Sequence, residues 1–297
     1  MRRESLRADG LLLLAAMIWG FSFVAQRAGM AHTGPFTFNA VRFALGALTI
    51  LPLMGRRRGA ASSSPPRRAA LKAGVAAGSA LFLAVSLQQI GIVTTTAGKA
   101  GFITGLYVVI VPLLGIALGR RAGIGTWAGG ALAVAGLYLL SVRSGFRLAP
   151  GDGLVLAGAF FWAVHVLIVD RAVRRTGALR LAFLQFSFCA AASAVAALVF
   201  ETVDPAGVRA AAVPILYGGV MSVGVAFTLQ VAAQRTAPPA HAALLLSLET
   251  VFAALGGALL LGEGMDGRGA IGCAAILAGI LLSRLAGEGT QGAPGGA

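Results

Sequence analysis

Charge is scarce in this chain. Of its 297 residues only 11% are Asp, Glu, Lys or Arg, against about 25% in a soluble domain. That shortage excludes a conventional soluble fold. Acid is scarcer still, with ten Asp and Glu and three His spread along the whole length. An integral membrane enzyme acting on a lipid or isoprenoid substrate is the alternative reading, and it would show clustered Asp or His near one interface. Such a cluster is missing, which makes it the weaker reading. The two cysteines, Cys189 and Cys273, lie alone in apolar runs. They form neither a disulfide framework nor a metal site. The phosphate-loop pattern G-x-x-x-x-G-K-[ST] does not occur, which argues against an ATP-hydrolysing module and leaves a gradient to drive any transport. No cofactor and no metal are expected.

Hydrophobic residues make up 58% of the chain. They fall in windows of about twenty, the length a helix needs to cross roughly 30 Å of hydrocarbon. Ten spans are predicted, at about 11–30, 36–54, 71–93, 97–118, 124–142, 153–170, 180–200, 211–233, 238–261 and 267–286, with ends good to a few residues. The basic start and apolar run of residues 2–30 resemble a signal peptide. The run is too long for a signal core and no cleavage site follows, so it reads as a retained first helix. The fold class is therefore all-α and integral to the membrane, with the lipid bilayer as its first partner. Residues 287–297 read as a disordered Gly-rich tail.

The basic excess, a net charge of +14, sits in short clusters between the spans. It has no soluble domain to present it to nucleic acid, and no nucleic-acid partner is expected. Counted on alternate sides, 17 of the 24 Lys and Arg fall with the two termini and six on the other side, with Arg42 inside span two. The positive-inside rule then places both termini in the cytoplasm of a multi-pass protein of a bacterial inner membrane.

Thr94–Arg121 recurs at Thr236–Glu263, at a constant offset of 142 residues. At that offset Gln88 falls on Gln230, Lys99 on His241, Tyr107 on Glu249 and Gly115 on Gly257, while Trp19 aligns more weakly with Trp162. Arg121 falls on Glu263, so the closing charge reverses. Residues 1–145 and 150–286 thus read as two units of five spans. An odd number of spans inverts the second unit, and the charge reversal is what opposite orientation demands. Inverted repeats characterise secondary transporters, with the substrate near the midplane between the units.

Four segments carry a family resemblance: WGFSFV at 19–24, VRFALGAL at 41–48, TTAGKAGFITGLYVVIVPLLG at 95–115 and SLETVFAALGGALLLGE at 247–263. The chain resembles the drug/metabolite transporter superfamily, and within it the EamA-type members with ten helices. Thr250 stands where the family usually has proline, and Lys99 where it often has a neutral residue. The resemblance implies an exporter of small metabolites, such as amino acids, or of drugs.

Ionisable and polar groups within the spans are the candidate substrate-binding residues, because burying them in a membrane is expensive. Glu249, about eleven residues into span nine, leads. It can bind a substrate amine or carry a proton. His241 lies eight residues earlier with Leu245 between, and Lys99 and Tyr107 repeat that spacing around Ile103. Span one adds Trp19, Ser22 and Gln26, span six adds Trp162 and His165, and Gln88 and Gln230 occupy equivalent places in spans three and eight. Arg42 reads as structural. Gly125, Gly129, Gly272 and Gly279 read as small faces for close helix contact.

Overall fold

The computed structural model describes residues 2–56, 66–95, 97–120, 122–142, 149–260 and 267–290. Every element among these residues is helical. The first unit runs α1 (Arg2–Gly29), α2 (Pro35–Arg56), α3 (Arg67–Thr94), α4 (Ala97–Gly105), α5 (Tyr107–Ala117) and α6 (Ile124–Ser141). The second runs α7 (Pro150–Thr176), α8 (Ala178–Phe200), α9 (Pro205–Ala210), α10 (Ala212–Leu216), a π-helical stretch Tyr217–Phe227, α11 (Thr228–Ala233), α12 (Pro239–Leu246), α13 (Leu248–Leu260) and α14 (Gly267–Thr290). Among the described residues seven stretches are long and apolar enough to cross a bilayer: Glu4–Gly29, Pro35–Met54, Arg67–Thr94, Lys99–Ala117, Pro150–Thr176, Ala178–Phe200 and Ala212–Ala233. Three shorter apolar helices, Ile124–Leu140, Pro239–Ala253 and Gly267–Ser283, stand at the remaining expected spans. Large apolar side chains on the outside, such as Ile124, Leu198, Phe200 and Val213, need lipid rather than water around them.

Residues 287–290 of the expected tail continue α14. Residues 291–297 lie outside the described residues, as do Arg121 and Glu263, whose charge reversal was central to the topology argument.

Two apolar spans are broken in the middle, which hydrophobicity alone does not signal. One break lies at Leu106, between α4 and α5, next to Gly105. The other lies at Ser247, between α12 and α13, where the Ser247 hydroxyl donates back to Leu244 O at 2.7 Å. That local bond offers the backbone an alternative to the regular ladder. Ser247 is fully buried and Leu106 partly so, and irregular backbone at membrane depth is tolerated where protein covers it.

Glycine sets how closely the two units approach. A Cβ on Gly129 of α6 would stand 2.5 Å from Gly279 O of α14, and one on Gly136 would stand 2.5 Å from Gly272 O. The α6–α14 seam is thus backbone against backbone, a contact any larger residue would prise apart. Gly151 of α7 meets Gly91 of α3 in the same way. α2 packs along α8, and α1 against α13 and the π-helical stretch. A second apolar cluster joins α2, α3, α8 and the π-helical stretch through Phe43, Leu81, Phe186 and Phe227.

Candidate functional site

The helices line a cavity of about 50 Å³. It holds a few waters at most, well below the roughly 300–1,000 Å³ of a ligand-filled pocket. Its wall mixes polar side chains with the rings of Trp19, Tyr107, Trp162 and Phe227.

One hydrogen-bonded chain runs through the wall across four elements. Trp162 of α7 donates its Nε1–H to Gln88 Oε1 of α3 at 2.9 Å. Gln88 Nε2 donates to Gln26 Oε1 of α1 at 3.2 Å, and Gln26 Nε2 to Ser22 Oγ at 3.2 Å. Ser22 then donates to Ser222 Oγ of the π-helical stretch at 3.2 Å, and Trp19 Nε1 to Ser222 O at 3.2 Å. Phe227 stacks on Trp162 with ring centroids 5.7 Å apart, and meets Trp19 edge-on at 4.6 Å.

Two charges line the same cavity. Glu249, in the first turn of α13 just past the Ser247 break, is 5% exposed and makes no hydrogen bond or ion pair among the described residues. Arg42, 2% exposed, donates to Asn39 Oδ1 at 2.9 Å. Its guanidinium sits over the rings of Phe38 and Phe43, with no carboxylate partner among the described residues. Gln230 adds a buried carboxamide oxygen with no hydrogen-bond partner among the described residues. A buried group left unsatisfied is costly, so these three are poised to gain most from a ligand.

Eight of the eleven predicted residues line this cavity: Trp19, Ser22, Gln26, Gln88, Tyr107, Trp162, Gln230 and Glu249. The other three do not. His165 is fully buried beside it and bonds Gln185 Oε1 at 2.9 Å. Lys99 pairs with Asp152 at 2.5 Å, and His241 with Asp9 at 2.9 Å. The reason is distance along the helix. Eight residues rise about 12 Å, so His241 and Glu249 share a face but not a depth. Arg42, read from sequence as structural, does line the cavity, and Thr104 and Ser222 join it without having been singled out. Ser222 carries little sequence signal, because the π-helical stretch turns its residues out of the 3.6 period.

The outer pairs mark opposite ends. Arg27 near the end of α1 donates to Thr95 O at the end of α3, and Thr95 Oγ1 to Asp152 Oδ1 near the start of α7 at 2.6 Å. Asp9 lies near the start of α1, and so at the other end. There Arg120 pairs with Asp170 near the end of α7 at 2.6 Å. Lys99 and His241 are counterparts at the offset of 142 residues. Asp9 and Asp152 are 143 residues apart, as are Trp19 and Trp162. One contact is thus made twice, once at each end.

A model of the EamA-like transporter family matches the chain twice, over residues 6–142 and 149–285. The chain belongs to the EamA-like transporter family. This EamA-family chain is 32% identical over 261 residues to an Archaeoglobus fulgidus protein named an uncharacterized transporter, covering 88% of this chain and 80% of that one. It is 28% identical over 166 residues to the uncharacterized inner membrane transporter YedA of Escherichia coli K12, a match spanning 54% of this chain and 52% of YedA. A solved crystal structure shares the EamA-family fold, with a TM-score of 0.80 over 96% of this chain and 98% of that one, at 22% identity.

Proposed function

We propose that this multi-pass membrane transporter moves a small zwitterionic metabolite, with amino acids as the model cargo, outward across the inner membrane by alternating access. The carrying observation is that Glu249 and Arg42 line one cavity without pairing to each other. A zwitterion supplies what each lacks: its ammonium meets the carboxylate, and its carboxylate meets the guanidinium. Trp19, Trp162 and Phe227 offer rings to the apolar part of the cargo. A drug with a cationic amine would use Glu249 and the rings and leave Arg42 idle.

The ten-span, inverted-repeat architecture is part of this reading. Three features support it: the matched breaks at Leu106 and Ser247, the matched pairs Lys99–Asp152 and His241–Asp9, and the packing of α1 on α13 as α7 packs on α4 and α5. Discontinuous helices around a midplane site are what secondary transporters use to hold charged cargo. With both pairs formed the cavity is small. Opening one end while the other stays paired gives access from one side at a time. Glu249, having no fixed cation, is the group to exchange a proton for cargo, so transport is coupled to protons.

Counterflow of radiolabelled amino acids in proteoliposomes tests the reading. Glu249→Gln is expected to lower transport at least tenfold. Arg42→Gln is expected to do the same for zwitterions while sparing cationic amines. Absence of transport for every amino acid by well-folded protein would sink the cargo assignment. Indifference to an imposed pH gradient would remove the proton.

A further inference from the structure

Away from the cavity, an apolar groove of about 560 Å³ runs between α3, α5 and α7. Ala73, Leu114, Ala117, Leu118 and Leu167 line it, and Arg171 and Arg175 stand on its α7 wall. The same two arginines form part of an adjoining recess of about 530 Å³ that also holds Arg120, Asp170 and Arg174. Apolar trough and cationic recess are therefore continuous. We propose that this composite site binds one anionic phospholipid, with an acyl chain in the trough and the phosphodiester on Arg171 and Arg175.

The charges favour an anion. Four arginines face one carboxylate, and Asp170 is occupied by Arg120 at 2.6 Å and Arg174 at 3.4 Å. Arg171 and Arg175 make no ion pair or hydrogen bond with the described residues, so their guanidinium forks are available for bidentate contact with phosphate. The carbonyl end of α7 opposes an anion with about half a charge, which the guanidinium groups outweigh. Basic pockets between membrane helices hold anionic headgroups on this principle. A zwitterionic lipid fits poorly, because its cationic headgroup would meet the same arginines. Inorganic phosphate fits poorly too, because it leaves the trough unused. On α7 the groove spans Val164 to Thr176, about 18 Å of helix, long enough to seat much of an acyl chain. α3 and α5 belong to the first unit and α7 to the second, so a lipid seated here bridges them.

Native mass spectrometry and thermal unfolding of the detergent-purified full chain test this, with phosphatidylglycerol, phosphatidylcholine and inorganic phosphate as separate probes. Phosphatidylglycerol is expected to remain bound at one molecule per chain and to raise Tm, and the other two probes to do neither. The double variant Arg171→Gln, Arg175→Gln should weaken phosphatidylglycerol binding at least tenfold. Ala117→Trp, which fills the trough at an exposed position and leaves every arginine in place, should weaken it several-fold. The charge-matched control Arg7→Gln, Arg235→Gln removes two exposed cations that do not line the groove and should change little. The proposal falls if the control loses as much affinity as the groove variant. Phosphate matching phosphatidylglycerol would overturn it as well, as would full binding by Arg171→Gln, Arg175→Gln.

Discussion

At one end of the cavity Lys99 bonds Asp152; at the other His241 bonds Asp9. The positions correspond, but the two carboxylates sit in different surroundings. Asp152 is 3% exposed and also accepts from the Thr95 hydroxyl at 2.6 Å and the Ala149 N–H at 2.8 Å. That carboxylate joins α3, α4 and the start of α7, and Arg27 of α1 adds its bond to Thr95 O. Asp9 and His241 are 13% and 18% exposed and join α1 to α12. If the two ends take turns opening, the deeper burial of Asp152 makes the lysine end the harder to release.

Asp152→Asn should break this comparison most strongly. It leaves Lys99 without its carboxylate and weakens three charge-assisted bonds, for a loss of about 2–3 kcal/mol of stability. A reporter cysteine at Val85 in the cavity wall, with Cys189 and Cys273 replaced, reads the opening. Labelling by an impermeant maleimide should rise at least fivefold from the Lys99 side and stay unchanged from the other. Asp9→Asn should do the reverse with a smaller effect, about 1 kcal/mol, because this carboxylate is less deeply buried than Asp152. If both variants raise labelling from the same side, the pairs do not close opposite ends.

What could be read in advance follows the same division. Trp19, Gln88 and Glu249 were legible because a polar or aromatic residue deep in an apolar run stands out, and the repeat doubles the signal through Trp162 and Gln230. Asp9 and Asp152 were not, since each lies just outside its apolar window and looks like an ordinary interfacial charge. The break at Leu106 falls inside a run so uniformly apolar that periodicity has nothing to mark it. Arg42 reads from sequence as structural. Its depth along α2 is readable, but its place at the cavity wall depends on Phe38, Asn39 and Phe43 holding the guanidinium, and only tertiary packing shows that.

The smallest expected effect is also the sharpest test of equivalence. Exchanging the basic partners, Lys99→His together with His241→Lys, keeps one basic side chain and one carboxylate at each end. Stability should change by less than about 1 kcal/mol, because neither carboxylate loses its partner. What should hold is the order of opening. In the native chain Val85→Cys labelling should be greater from the Asp9 side, where the carboxylate is the less buried of the two. In the exchanged variant that order should persist, because Thr95 and the Ala149 N–H still hold the Asp152 carboxylate. A reversed order after the exchange would mean that the basic partners, and not the surroundings of each carboxylate, decide which end opens.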